Sequence, residues 1–65
     1  MDADILLGKW EQLKGKAKVQ WAKLTDDHIL KINGNRQQLI GYLQELYGRT
    51  RDEAEKEIED WLSNV

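Results

Sequence analysis

Apolar residues recur along the first third of the chain at the spacing of an α-helix. They are separated by three or four positions, close to the 3.6 residues of a helical turn. The stripe comprises Leu6, Trp10, Leu13, Ala17, Trp21 and Leu24. The pattern predicts one long helix over about residues 4–24, with this stripe facing a core.

Three shorter helices are predicted after it, over about residues 26–33, 36–47 and 51–63. Their apolar faces comprise Ile29, Ile32, Leu39, Ile40, Leu43, Leu46, Tyr47, Ala54, Ile58, Trp61 and Leu62. No segment alternates between apolar and polar residues over the length of a strand, so the predicted fold class is all-α.

Polar residues mark the boundaries of these helices. Thr25 is placed to cap the second helix, and Thr50 with Glu53 forms a capping box at the start of the fourth. The Asn-Gly-Asn segment at 33–35 ends the second helix and offers an N-cap to the third, which Gly48 closes.

The length and composition limit what the chain can be. Its 65 residues form a single domain, residues 1–65, with no cysteine and a net charge of −2. The acidic start at Met1–Asp4 and the short apolar run after it do not fit a secretory signal, and no run is long enough to span a membrane. We therefore expect a cytoplasmic protein with a modest core and little room for a substrate pocket.

Charge is unevenly distributed along the chain. Residues 8–23 contain five lysines and one glutamate, a net charge of +4, whereas residues 50–65 contain two basic and six acidic side chains, a net charge of −4. Three interpretations are open: the two segments neighbour each other, the basic segment contacts nucleic acid or an anionic membrane, or the poles mediate self-association or partner binding. The candidate interaction surface comprises Lys9, Lys14, Lys16, Lys18 and Lys23.

Small residues form a second pattern on the first helix. Gly8 and Gly15 are seven residues apart and share the face opposite the tryptophans with Val19 and Ala22. We favour tolerated positions on the solvent side, with a contact surface for close backbone approach as the alternative.

The residues capable of chemistry are few and scattered. His28 is the single histidine and is expected at the surface, without a second histidine or a cysteine to complete a typical zinc site. Thr25 and Thr50 are explained by capping, and Ser63 lies near the end of a helix without a catalytic partner. We therefore predict no catalytic residue, no metal ligand and no cofactor.

The order of the motifs resembles that of CsbD-like proteins over nearly the whole chain. Residues 8–18 are similar to the G-x-W-x-x-x-x-G-K-x-K segment that opens this family, and residues 44–48 to its Q-E-x-Y-G segment. Between and after them the matching residues are Trp21, Leu24-Thr25-Asp26-Asp27, Gly34, Gln38-Leu39, Gly41, Ala54-Glu55-Lys56-Glu57 and Trp61. His28 is a departure, because many relatives have an acid there.

The resemblance implies a small bacterial protein of the general stress response, folded as two crossed helical hairpins around one small core. The family has no established catalytic residues or ligand, so the resemblance transfers no active site. We expect a non-enzymatic protein that acts through its surface, with weak nucleic-acid or anionic-membrane binding through the basic first helix as the alternative. The sequence leaves the partner open: a protein partner or weak self-association is preferred to nucleic acid or an anionic membrane, and no small-molecule substrate is expected.

Overall fold

Five α-helices account for most of residues 3–65, the part of the chain that the computed structural model describes, with side chains described from Ile5 onward. They are α1 (Ala3–Gly8), α2 (Trp10–Gln20), α3 (Asp26–Ile32), α4 (Arg36–Tyr47) and α5 (Arg51–Asn64). These residues include no strand, which confirms the all-α class. The acidic start used to exclude a targeting segment includes Met1 and Asp2, which lie outside the described residues.

The prediction of one helix over residues 4–24 was wrong in two respects. Lys9 leaves the helical conformation (φ −115°, ψ 16°) and separates α1 from α2, next to Gly8, a residue type with low helix propensity. The helix then ends at Gln20, because Trp21 adopts φ −125° and ψ 88°. The predicted bounds of the three later helices agree with α3, α4 and α5 to within one residue.

The predicted apolar stripe is buried in spite of these breaks. Trp21 and Leu24 lie beyond the end of α2, yet each is only 2% exposed. The core cluster consists of Leu6, Trp10, Leu13, Ala17, Trp21, Leu24, Ile29, Ile32, Leu39, Ile40, Leu43, Ala54, Ile58 and Trp61. The helix α4 packs against α1, α3 and α5, so it supplies the centre of the bundle.

The predicted caps are present at the three later helices. The Thr25 side chain accepts a hydrogen bond from the backbone N–H of His28, and Asn35 Oδ1 accepts from Gln37 and Gln38. Thr50 and Glu53 form the reciprocal capping box at the start of α5. These caps satisfy N–H groups that would otherwise lack a helical partner.

The turn between α3 and α4 requires a glycine at position 34. Asn33 and Gly34 both have positive φ, 44° and 81°, and a Cβ atom on Gly34 would lie 3.0 Å from the Cα atom of Leu7. The missing side chain therefore allows α1 to pack directly against this turn. Gly41 differs, because it lies inside α4 and a Cβ atom there would meet nothing within 4 Å.

We predict opposite effects for alanine at these two glycines. Gly34→Ala should lower the free energy of unfolding by about 1–3 kcal/mol, because it combines positive φ with contact to Leu7. Gly41→Ala should raise it by about 0.5–1 kcal/mol through helix propensity. Urea unfolding followed by tryptophan fluorescence measures both changes, and shifts of the same sign would contradict this interpretation.

Candidate interaction surface

The helix α2 has one buried face and one face that is open to solvent. Trp10, Leu13 and Ala17 point into the core. On the opposite side, Gly15 is exposed and Val19 has 85% of its surface exposed. Gly15 and Val19 therefore face away from the core as predicted, whereas Gly8 lies in α1 and Ala22 beyond the end of α2, so the four residues do not share one helix.

Two of the five candidate lysines lie on the side of α2 that faces α3. Lys14 and Lys18 line an open groove of about 410 Å³ whose apolar surface includes Trp10, Ile29 and Leu30. Both lysines are paired with acids: Lys14 Nζ is 2.8 Å from Glu11, and Lys18 pairs with Asp26. The hydrogen bond from Lys18, and then its charge, lower the pKa of Asp26 below the usual value.

Lys16 lies on the other side of α2, toward α5. It lines an open groove of about 600 Å³ together with Gly15, Val19, Trp61 and Val65. Within residues 5–65 no carboxylate pairs with Lys16. Gly15 borders both grooves, so an uncharged strip separates Lys16 from Lys14 and Lys18.

The remaining two candidate lysines lie outside α2. Lys9 is exposed in the break between α1 and α2. Lys23 follows α2 and is directed to the end of α4, where its Nζ donates to the Leu46 carbonyl at 3.3 Å and lies 5.2 Å from the Tyr47 ring centre. A cation is favourable there because of the partial negative charge at a helix C-terminus. Lys14 and Lys18 thus share one groove, Lys16 lines another, and Lys9 and Lys23 lie beyond the two ends of α2.

Four of the six acids of α5 pair with cations from their own half of the chain. Glu59 pairs with Arg36 of α4, Glu57 lies 3.2 Å from Arg49, and Glu55 lies 3.6 Å from Arg51. Lys56 and Asp60 are 4.0 Å apart. In the described chain no ion pair joins residues 8–23 to residues 50–65, so direct pairing between the two charged segments is not what balances them.

His28 has a structural role that the sequence analysis missed. Its Nδ1 accepts a hydrogen bond from the Thr25 backbone N–H at 3.0 Å, which completes a capping box with histidine in place of the usual glutamate or glutamine. The ring is half-buried against Tyr42, with ring centres 4.6 Å apart. The signal available in the sequence was the three-residue spacing from Thr25.

Other groups that could do chemistry are also held by local bonds. The Ser63 hydroxyl donates to the Glu59 carbonyl at 3.0 Å, one helical turn earlier. Across the described residues no group of three or more His, Cys, Asp or Glu side chains is arranged to hold a metal ion. Among the same residues, every helix is too short or too polar to cross a membrane.

Together, the fold and this surface define a small helical protein with open grooves on either side of α2. Residues 4–56 match the family model described as CsbD-like, and the chain belongs to this family. The resemblance seen in the motifs is therefore confirmed.

Bacterial relatives match over most of the chain. The UPF0337 protein YjbJ of Escherichia coli strain K12 is 54% identical over 61 residues, which cover 94% of this chain and 88% of the relative. The protein of the same name from Salmonella typhimurium is also 54% identical, over 94% of this chain and 87% of its own. A UPF0337 protein of Bordetella pertussis is 46% identical over 95% and 94% of the two chains. No solved structure matches this chain.

Proposed function

We propose that this is a non-enzymatic protein of the bacterial general stress response, which acts by contact between its surface and other macromolecules. Membership of the CsbD-like family supports the stress-response part of the proposal. The bacterial origin of its relatives is consistent with it.

One observation carries the proposal that the protein acts without catalysis. The groups that catalysis would most readily use serve the fold: His28 and Thr25 cap α3, Thr50 caps α5, and Ser63 bonds to its own helix. The outward face of α2 instead exposes Lys16 and Val19, and nothing in residues 5–65 pairs with that lysine. This face is therefore better suited to contact than to chemistry.

We predict that survival under stress depends on the exposed Lys9 and Lys16 and does not depend on the imidazole of His28. In a strain lacking the gene, Lys9→Gln with Lys16→Gln should restore survival in stationary phase or osmotic stress less well than the natural protein. The matched control is Lys31→Gln with Lys56→Gln, which removes the same charge from α3 and α5 and should restore survival fully. Survival counts at equal protein levels measure the difference.

His28→Gln separates a surface role from catalysis in the same assay. Glutamine can accept the Thr25 N–H and preserve the capping box, while it removes the imidazole. The variant keeps the cap but loses the ring contact with Tyr42, so it should unfold at a slightly lower denaturant concentration and still support survival normally. Loss of survival by a variant that is folded and equally abundant in the cell would contradict the non-enzymatic proposal.

The alternative function is weak binding to nucleic acid or an anionic membrane, which the exposed Lys9 and Lys16 favour. Lys14 and Lys18 are already paired and Lys23 is held by α4, which leaves at most two of the five lysines for phosphates. The logarithm of the binding constant for DNA falls linearly with the logarithm of the salt concentration, with a slope of about −0.9 for each phosphate neutralised.

We therefore expect weak binding to generic duplex DNA, with a slope no steeper than about −2 in a salt titration. Anionic vesicles should bind only weakly, and chiefly at low salt. A slope of about −4 or steeper, reduced by changing Lys9, Lys16 and Lys23 to glutamine, would instead establish the basic segment as a nucleic-acid surface.

A further inference from the structure

The groove between α2 and the end of α5 combines apolar surface with a lysine that has no ion-pair partner among residues 5–65. Val19 and Val65, which are 85% and 49% exposed, supply most of its apolar surface, and Trp61, which is 6% exposed, adds a small part. Lys16 is the charged side chain among the described residues that line it. At about 600 Å³ the groove is large enough for several side chains, and it is open rather than enclosed.

The shape of the groove suits a helix laid along α2. Gly15 has no side chain, and a Cβ atom placed on it would meet nothing within 4 Å. A neighbouring backbone can therefore approach α2 closely at this point, with its apolar side chains against Val19 and Trp61. Binding an amphipathic helix in an apolar groove is a common mode of peptide recognition.

The positive charge of Lys16 favours an acidic binding partner in this groove. Lys14 and Lys18, on the opposite side of α2, are already paired with Glu11 and Asp26, whereas Lys16 has no such pair within residues 5–65. A carboxylate on the incoming helix would supply the missing partner, and complementary charge of this kind improves specificity and association rate.

A second copy of the chain is a poorer occupant. Pairing two α2 helices through this face would bring the lysines of both copies together, which is unfavourable. Of the acids of α5 in a second copy, Glu55, Glu57 and Glu59 would have to leave their arginine partners to reach Lys16. Asp60 would have to leave Lys56, and Glu53 would have to leave the cap at Thr50.

We propose that the groove between α2 and α5 binds an acidic amphipathic helix of a partner protein, with a carboxylate at Lys16 and apolar side chains against Val19 and Trp61. The proposal rests on the proposed function, because it names the kind of partner that the surface would contact.

Two designed helical peptides test the proposal on the purified protein. They share their length and leucine positions, and carry glutamate or lysine on the polar face. In a ¹⁵N-resolved NMR titration, the acidic peptide should shift the amides of Gly15 and Val19 and the indole N–H of Trp61 in a saturable manner. The basic peptide should bind at least roughly tenfold more weakly, because it meets Lys16 with like charge.

Single substitutions then locate the site. Val19→Asp should weaken binding of the acidic peptide by roughly tenfold or more, because it replaces the exposed apolar contact with a like charge. Lys16→Gln should weaken it by about two- to fivefold, as expected for one exposed ion pair. Lys31→Gln, the matched control on α3, should leave the affinity unchanged.

Several results would overturn the proposal. They are the absence of saturable shifts, equal affinity for the basic peptide, and shifts confined to the Trp10 and Leu30 groove. Concentration-dependent shifts of these residues without peptide would indicate a second copy, and shifts with phosphatidylglycerol vesicles but not peptide would indicate a membrane. The titration needs no stress phenotype, so this proposal and the proposed function can fail independently.

Discussion

The contact between Trp21 and Trp61 joins the end of α2 to α5. The two rings meet edge to face, with centres 4.9 Å apart and planes inclined by 67°. No ion pair in the described residues links these two helices, so packing is what holds them together. Trp21 is 2% exposed, and its indole N–H has no hydrogen-bond partner among the described residues. A buried N–H without a partner lowers the stability of the fold by about 1–3 kcal/mol. Burial of the roughly 150–250 Å² of a large aromatic side chain raises it by about 4–6 kcal/mol, which outweighs that cost.

The packing of the core also determines which face of α2 stays exposed to solvent. With Trp10, Leu13 and Ala17 directed into the core, α2 must turn Gly15 and Val19 outward. Trp61 belongs to both features, because it contacts Trp21 in the core and also lines the groove beside α2. The surface is therefore a consequence of how the core is packed.

Much of the fold could be predicted from the sequence because burial and capping leave local patterns. The apolar stripe from Leu6 to Leu24 is buried as expected, and Thr25 and Thr50 cap their helices. The break at Lys9 and the end at Gln20 could not be read from the same pattern. Periodicity records which residues are buried, and Trp21 remains buried after its backbone has left the helix.

The candidate surface was harder to predict than the fold. The five lysines share one segment of sequence, but their partners depend on tertiary structure: Lys18 meets Asp26 of α3, and Lys23 meets the end of α4. His28 escaped prediction for a different reason, because histidine is an uncommon member of a capping box.

A double-mutant cycle on the two tryptophans tests most directly whether their contact holds the structure together. Trp21→Leu, Trp61→Leu and the double variant would be unfolded in urea and followed by circular dichroism. Each single substitution should lower the free energy of unfolding by about 2–4 kcal/mol, with a coupling of about 0.5–1.5 kcal/mol between them. Losses that add to within about 0.3 kcal/mol, or single losses below about 1 kcal/mol, would contradict the central place given to this contact.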